Sequence, residues 1–153
     1  MEKRTQTVAV SVHLILIRRN KVLLLRRFNT GWMDGKYSTV AGRVDENEPI
    51  RIAMSREARE EAGIDIDIGD LKFAHVIHRS SRDQRKKAYR QWIDLFFKAE
   101  KWSGVPRNME PNKCDDMGWF SLGKLPEPMV PYVKCALERI KDGVPYSEFG
   151  WHA

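Results

Sequence analysis

The chain has 153 residues, 42% of them hydrophobic and 31% charged, which excludes a disordered polymer and suits one folding unit spanning residues 1–153. Its longest apolar runs, residues 8–17 and 22–25, are strand-sized and fall short of the ~20 residues of a membrane-crossing helix. The net charge of +6 asks for an anionic partner, which charge alone leaves open between nucleotide phosphate, nucleic acid and an acidic surface.

Met1-Glu2-Lys3-Arg4 does not open a signal peptide, and no membrane partner is expected; the reading is cytoplasmic. Cys114 and Cys135 are too few for a disulfide framework and lack metal-ligand spacing, so they are expected as reduced thiols.

In chain order, residues 7–18 are rich in Val, Leu and Ile and predict a strand, turned by Arg19-Asn20-Lys21 into a second strand at 22–27. Residues 28–36 carry Asn29, Gly31, Asp34 and Gly35 and read as a loop, followed by a short strand at 37–40. Pro49, expected at the first helical position, opens a helix over Ile50–Ala62, and Gly63 stops it. Residues 64–68, 71–78 and 91–99 read as strands, with a polar, basic stretch at 79–90 between the last two. Residues 103–116 read as a loop, Trp119-Phe120 as a short strand, and 129–141 as the last helix. The tail from Tyr146 to Trp151 is aromatic enough to pack back on the body. Strands before and between two helices predict an α+β fold, an α/β/α sandwich with a mixed sheet.

The chemistry concentrates between Gly42 and Ile64. On a helix Glu57, Glu60 and Glu61 lie three and four residues apart and share an arc of about 100°. Like charges so placed repel, and a solvated acidic face is the plain explanation; a hard divalent cation, bound together with substrate phosphate, is the functional one. Arg56 stands beside them, able to hold a carboxylate by a charge-assisted hydrogen bond.

This segment resembles the Nudix signature, G-x5-E-x7-R-E-U-x-E-E-x-G-U, at every fixed position: Gly42, Glu48, Arg56, Glu57, Glu60, Glu61 and Gly63, with Ala58 and Ile64 at the apolar ones. The resemblance implies the Nudix fold with its catalytic loop and helix. It also implies hydrolysis of a pyrophosphate bond in a nucleoside diphosphate derivative with Mg²⁺ or Mn²⁺. Glu57, Glu60 and Glu61 would bind metal, one of them also acting as general base, with the backbone carbonyl of Ala41 as a further ligand. Arg56 would orient a carboxylate, and Glu48 would anchor the loop to the helix. A shorter likeness, Asn108-Met109-Glu110-Pro111-Asn112-Lys113-Cys114 with Trp119-Phe120 and Leu125-Pro126, is to the family's nucleoside triphosphate pyrophosphatases. It implies Glu110 as a further metal ligand and a (d)NTP cleaved to NMP and pyrophosphate. The alternatives are a nucleotide sugar, a dinucleotide or an RNA 5′ end, or a nucleotide-sensing domain without turnover. A homodimer is compatible with the family.

Arg26, Arg27, Trp32 and Trp119 are candidate substrate contacts, the aromatics also reading as lid or core. The basic residues between Arg79 and Arg90 read either as a phosphate funnel or as a solvated hairpin loop. With little aromatic interleaving, nucleic acid is disfavoured as a partner. His13, His75, His78 and His152 have no metal spacing and read as structural or surface groups.

Overall fold

A computed structural model of the chain describes residues 2–83 and 85–151; His152 lies outside them. The first hairpin is β1 (Ala9–Arg18) and β2 (Lys21–Arg27), closed by Arg19 and Asn20, both at positive φ. Two short strands follow, β3 (Tyr37–Ser38) and β4 (Val40–Arg43), then helix α1 (Ile50–Ala62). A long ribbon of β5 (Lys72–Asp83) and β6 (Ala88–Ala99) leads to β7 (Cys114–Ser121), helix α2 (Pro131–Lys141) and β8 (Tyr146–Phe149).

Strand β1 is the hinge of the mixed sheet. Its first half pairs antiparallel with β4 and its end pairs antiparallel with β2, while its other edge runs parallel to β6. The main path is β3-β2-β1-β6-β5-β8, with β4 on β1 and β7 on β2. Side chains alternate across these strands. Val12, Leu14 and Leu16 of β1, with Leu23 and Leu25 of β2, meet Ala53, Met54, Ala58 and Ala62 of α1. Ile15, Val22 and Leu24 face the other way, onto Tyr132, Val133, Ala136 and Leu137 of α2. The result is the expected α/β/α sandwich. Small alanines on α1 bring its backbone close to the sheet, and Ala58 is fully buried.

Local departures from the sequence reading have physical causes. Residues 64–68 keep the alternation of buried Ile64 and Ile66 but meet a neighbour only at the Asp65–Ser103 bridge. The chain then winds into a 3-10 turn at Ile68–Asp70, capped by the Asp67 carboxylate. Residues 79–90 are not a loop. Pairing continues to Asp83↔Ala88, so two strands run on to a short turn. Strand β7 begins at Cys114, inside the expected loop, and α2 begins at Pro131 because Met129 and Val130 are tied to Tyr37. Pro49 is the N-cap of α1, one place before the first helical residue. The aromatic tail packs back as β8, parallel to β5. Both cysteines are free thiols.

Candidate active site

Helix α1 is stopped where its sequence says it must be: Gly63 takes the left-handed conformation (φ 65°) and donates its N–H to Arg59 O (3.1 Å), while Ile64 N–H donates to Ala58 O (3.4 Å). The loop after β6 docks on this terminus, Arg107 N–H donating to Ala62 O (3.0 Å) and Met109 N–H to Glu61 O (3.2 Å). Asn108 braces the loop, accepting from Glu110 N–H at Oδ1 and donating to Cys114 O. These contacts bring Glu110 to the same cleft as Glu57, Glu60 and Glu61.

Arg56 organises the carboxylates. Its Nε and Nη2 donate to Glu48 (2.7 and 3.0 Å), its Nη1 to Glu57 (2.8 Å) and Glu60 (3.1 Å), and its Nη2 also to Arg43 O (3.1 Å). Glu48 in turn accepts from Asp45 N–H, pinning the loop ahead of α1. The Arg56 guanidinium, and then that backbone donor, hold the Glu48 carboxyl below its ordinary range. The Glu48–Arg56 pair thus fixes where the helix begins relative to β4. Gly42 completes the geometry, since a Cβ there would overlap the Glu57 carboxyl group.

The cleft, ≈ 480 Å³, is lined by both signs of charge: the four glutamates together with Arg26, Arg27 and Lys113. Burial pushes the Glu61 carboxyl up to about 8; the Ala41 N–H it accepts from at 3.1 Å opposes this, and the charges of Glu57 and Glu110 add to it. Burial raises Glu57 as well, against the pull of Arg56 and with the charges of Glu60 and Glu110 adding to the rise. Among the described residues no three acidic, His or Cys side chains are placed to hold an ion, and Arg56 is bonded to Glu57 and Glu60. The donor set nevertheless fits a hard divalent cation: several carboxylates share one cleft, where burial first and neighbouring charge after it make two of them resist ionisation. Mg²⁺ or Mn²⁺ would be held by Glu57, Glu60, Glu61 and Glu110.

A second cavity, also ≈ 480 Å³, adjoins the cleft and shares Arg27, Thr30, Ala41 and Gly42 with it. Trp32 lies on its wall, beneath the Arg27 guanidinium (4.7 Å) and 6.3 Å from Tyr132. Arg26 lines the first cleft and is paired to Asp115 at 2.7 Å. Trp119 lines neither; it stacks on Trp102 (5.9 Å) against the α1-side core. Arg79 is neither funnel nor solvated loop. It is buried and forms a bidentate pair with buried Asp94 (2.6 and 3.0 Å), which also accepts from Ser11 Oγ. No linear motif joins Arg79 to Asp94, and the partnership appears only once β5 and β6 pair. His13 is buried, stacked on Phe96 and bonded to Thr39; His75 and His78 are hydrogen-bonded structural groups.

Residues 6–140 match the family described as the NUDIX domain. The chain belongs to the Nudix family. It is 29% identical over 135 residues to the NAD-capped RNA hydrolase NudC of Chromobacterium violaceum, covering 84% of this chain and 46% of that one. It is 29% identical over 119 residues to the oxidized purine nucleoside triphosphate hydrolase of Danio rerio, covering 74% and 67%. The crystal structure of the MutT NUDIX hydrolase from Burkholderia pseudomallei superposes with a TM-score of 0.76 at 28% identity, covering 87% of this chain and 98% of that one. This Nudix chain spans less than half the length of the NudC proteins it matches. No described helix is long and apolar enough to cross a membrane.

Proposed function

We propose that the chain hydrolyses the pyrophosphate bond of a nucleoside diphosphate derivative, in the first instance a (d)NTP to NMP and pyrophosphate, with Mg²⁺ or Mn²⁺. The observation that carries this is the convergence of Glu57, Glu60, Glu61 and Glu110 with Arg26, Arg27 and Lys113 in one cleft. The bound cation would supply charge neutralisation and a more acidic water. Arg27 and Lys113 draw the substrate's phosphates towards the glutamates, and Arg56 keeps Glu57 and Glu60 oriented. One of Glu57, Glu60 and Glu61 takes the proton of the attacking water. The new P–O bond forms as the bridging P–O bond breaks, and the electron pair leaves on the departing phosphate oxygen.

A dinucleotide or RNA 5′ end is the second reading, favoured by the cavity that continues from the cleft and by the likeness to the NudC proteins. Formation of NMP and of the second product is followed by chromatography over a panel of NTPs, dNTPs, nucleotide sugars and dinucleotides with Mg²⁺. Hydrolysis of at least one compound is expected, with Glu60→Gln lowering kcat by about 10²-fold or more while the circular dichroism spectrum is kept. Full turnover in Glu60→Gln would sink the catalytic role, and an inert panel would favour a nucleotide sensor.

A further inference from the structure

The second cavity gathers more positive charge than the fold neutralises. Three guanidiniums surround the Trp92 indole: Arg43 at 5.6 Å, and Arg79 and Arg90 each at 5.0 Å from its centroid. Arg79 is satisfied by Asp94 and also lies 4.0 Å over Tyr132. Arg43 and Arg90 have no carboxylate partner among the described residues, and Arg82 and Arg85 add charge at the cavity rim. Asp83, the acidic residue of that rim, accepts from the backbone N–H groups of Arg85 and Lys86 at the turn.

Like charges collected on one ring repel, and the arrangement is relieved when an anion sits between them. Stacking on an indole also fixes the plane of a guanidinium and leaves its N–H edges free, as bidentate phosphate binding requires. The faces of Trp92 therefore serve as platforms for arginines. Trp32 is different. It is 41% exposed, but its ring lies 6.3 Å from Tyr132 at a 42° tilt and under the Arg27 guanidinium (4.7 Å), so it is already partnered within the cavity.

We propose that this cavity is a second anion subsite, in which Arg43 and Arg90 bind a phosphate other than the pair being cleaved. That phosphate is carried on the sugar of the substrate nucleoside. The inference rests on the pyrophosphohydrolase reading and narrows its substrate class to nucleotides bearing an additional phosphate on the ribose. The extra phosphate has two sources: the 3′-phosphodiester of an RNA 5′ end, or the phosphomonoester of a free dinucleotide.

Turnover of ATP is compared with that of the triphosphorylated dinucleotide pppApA, and NADH with NADPH. Both pairs are run with Mg²⁺ in the parent protein and in the Arg43→Gln/Arg90→Gln double variant. In at least one pair the phosphate-bearing compound is expected to show a kcat/KM about 10-fold or more higher, the double variant returning the ratio to about one. Preference for pppApA identifies the nucleic-acid source, and preference for NADPH the dinucleotide source. Equal kcat/KM within both pairs, or a preference that survives in the double variant, overturns the subsite. Hydrolysis of none of the panel or of these four overturns the hydrolase reading instead. Tryptophan-fluorescence titration then decides the subsite without turnover. Adenosine 3′,5′-bisphosphate or adenosine 2′,5′-bisphosphate must bind more tightly than AMP and lose that advantage in the double variant, whereas binding of both equal to that of AMP overturns the proposal.

Discussion

Arg56 shows how one side chain can set a whole site. It serves Glu48 with two donors, Glu57 and Glu60 with a third, and the Arg43 carbonyl besides, all at 2.7–3.1 Å. A lysine offers the charge without the planar fork and cannot hold these acceptors together. Arg56→Lys is expected to lower kcat/KM by about 10²-fold, with a thermal midpoint within a few degrees of the parent's. Steady-state kinetics beside a melting curve tests this, and a loss matched by unfolding would make Arg56 a stability residue. Such roles were legible in the chain because Glu48, Arg56, Glu57, Glu60 and Glu61 fall within one loop and one helix. Arg79 and Asp94 were not, since only the β5–β6 ladder brings them together. Trp119 stayed open between substrate contact and core for a related reason: a surface aromatic and a core aromatic look alike until the neighbour, here Trp102, is known.

At the scale of elements, α1 and its stop were legible apart from the place of Pro49, because a helix period, Pro49 and Gly63 are local signals. The β5–β6 ribbon was not. Beyond Arg79 its strands are polar and bury no residue fully, so the apolar alternation that marks a strand disappears while backbone pairing continues. The Gly63 stop also reaches the site. A Cβ there would adopt an unfavourable positive φ and meet Met109 Sδ at 3.0 Å, in the loop that carries Glu110. Gly63→Ala is expected to cost about 1–2 kcal/mol in stability. It should also weaken Mn²⁺ binding several-fold, the two effects being read by denaturant titration and by calorimetry. Unchanged Mn²⁺ affinity would show that the loop holds Glu110 independently of the helix end.

At the scale of the whole molecule, the acidic cleft sits inside a protein of net charge +6, and the excess cations cluster along the adjoining cavity. Acid stability is set elsewhere, in the layer between sheet and α2. Burial lowers His13 to about 4; the Asp94 charge opposes this, while the Arg79 and Arg27 charges deepen it. Above pH 6.5 the imidazole is neutral in folded and unfolded chains alike, and it costs nothing. As pH falls below 6.5 the unfolded chain takes up a proton that the folded one refuses, so stability declines until about pH 4, where the folded form also protonates. The full loss is about 3 kcal/mol at most. His13→Gln, which keeps a polar side chain towards Thr39 and Tyr132, should start from a lower stability at pH 7 yet decline less steeply between pH 6.5 and 4. Urea titrations of both proteins across that window, in metal-free buffer, decide the matter. Parallel pH profiles would place the acid sensitivity in the carboxylates instead, and equal profiles with equal stability would mean that the His13 contacts contribute nothing to the fold.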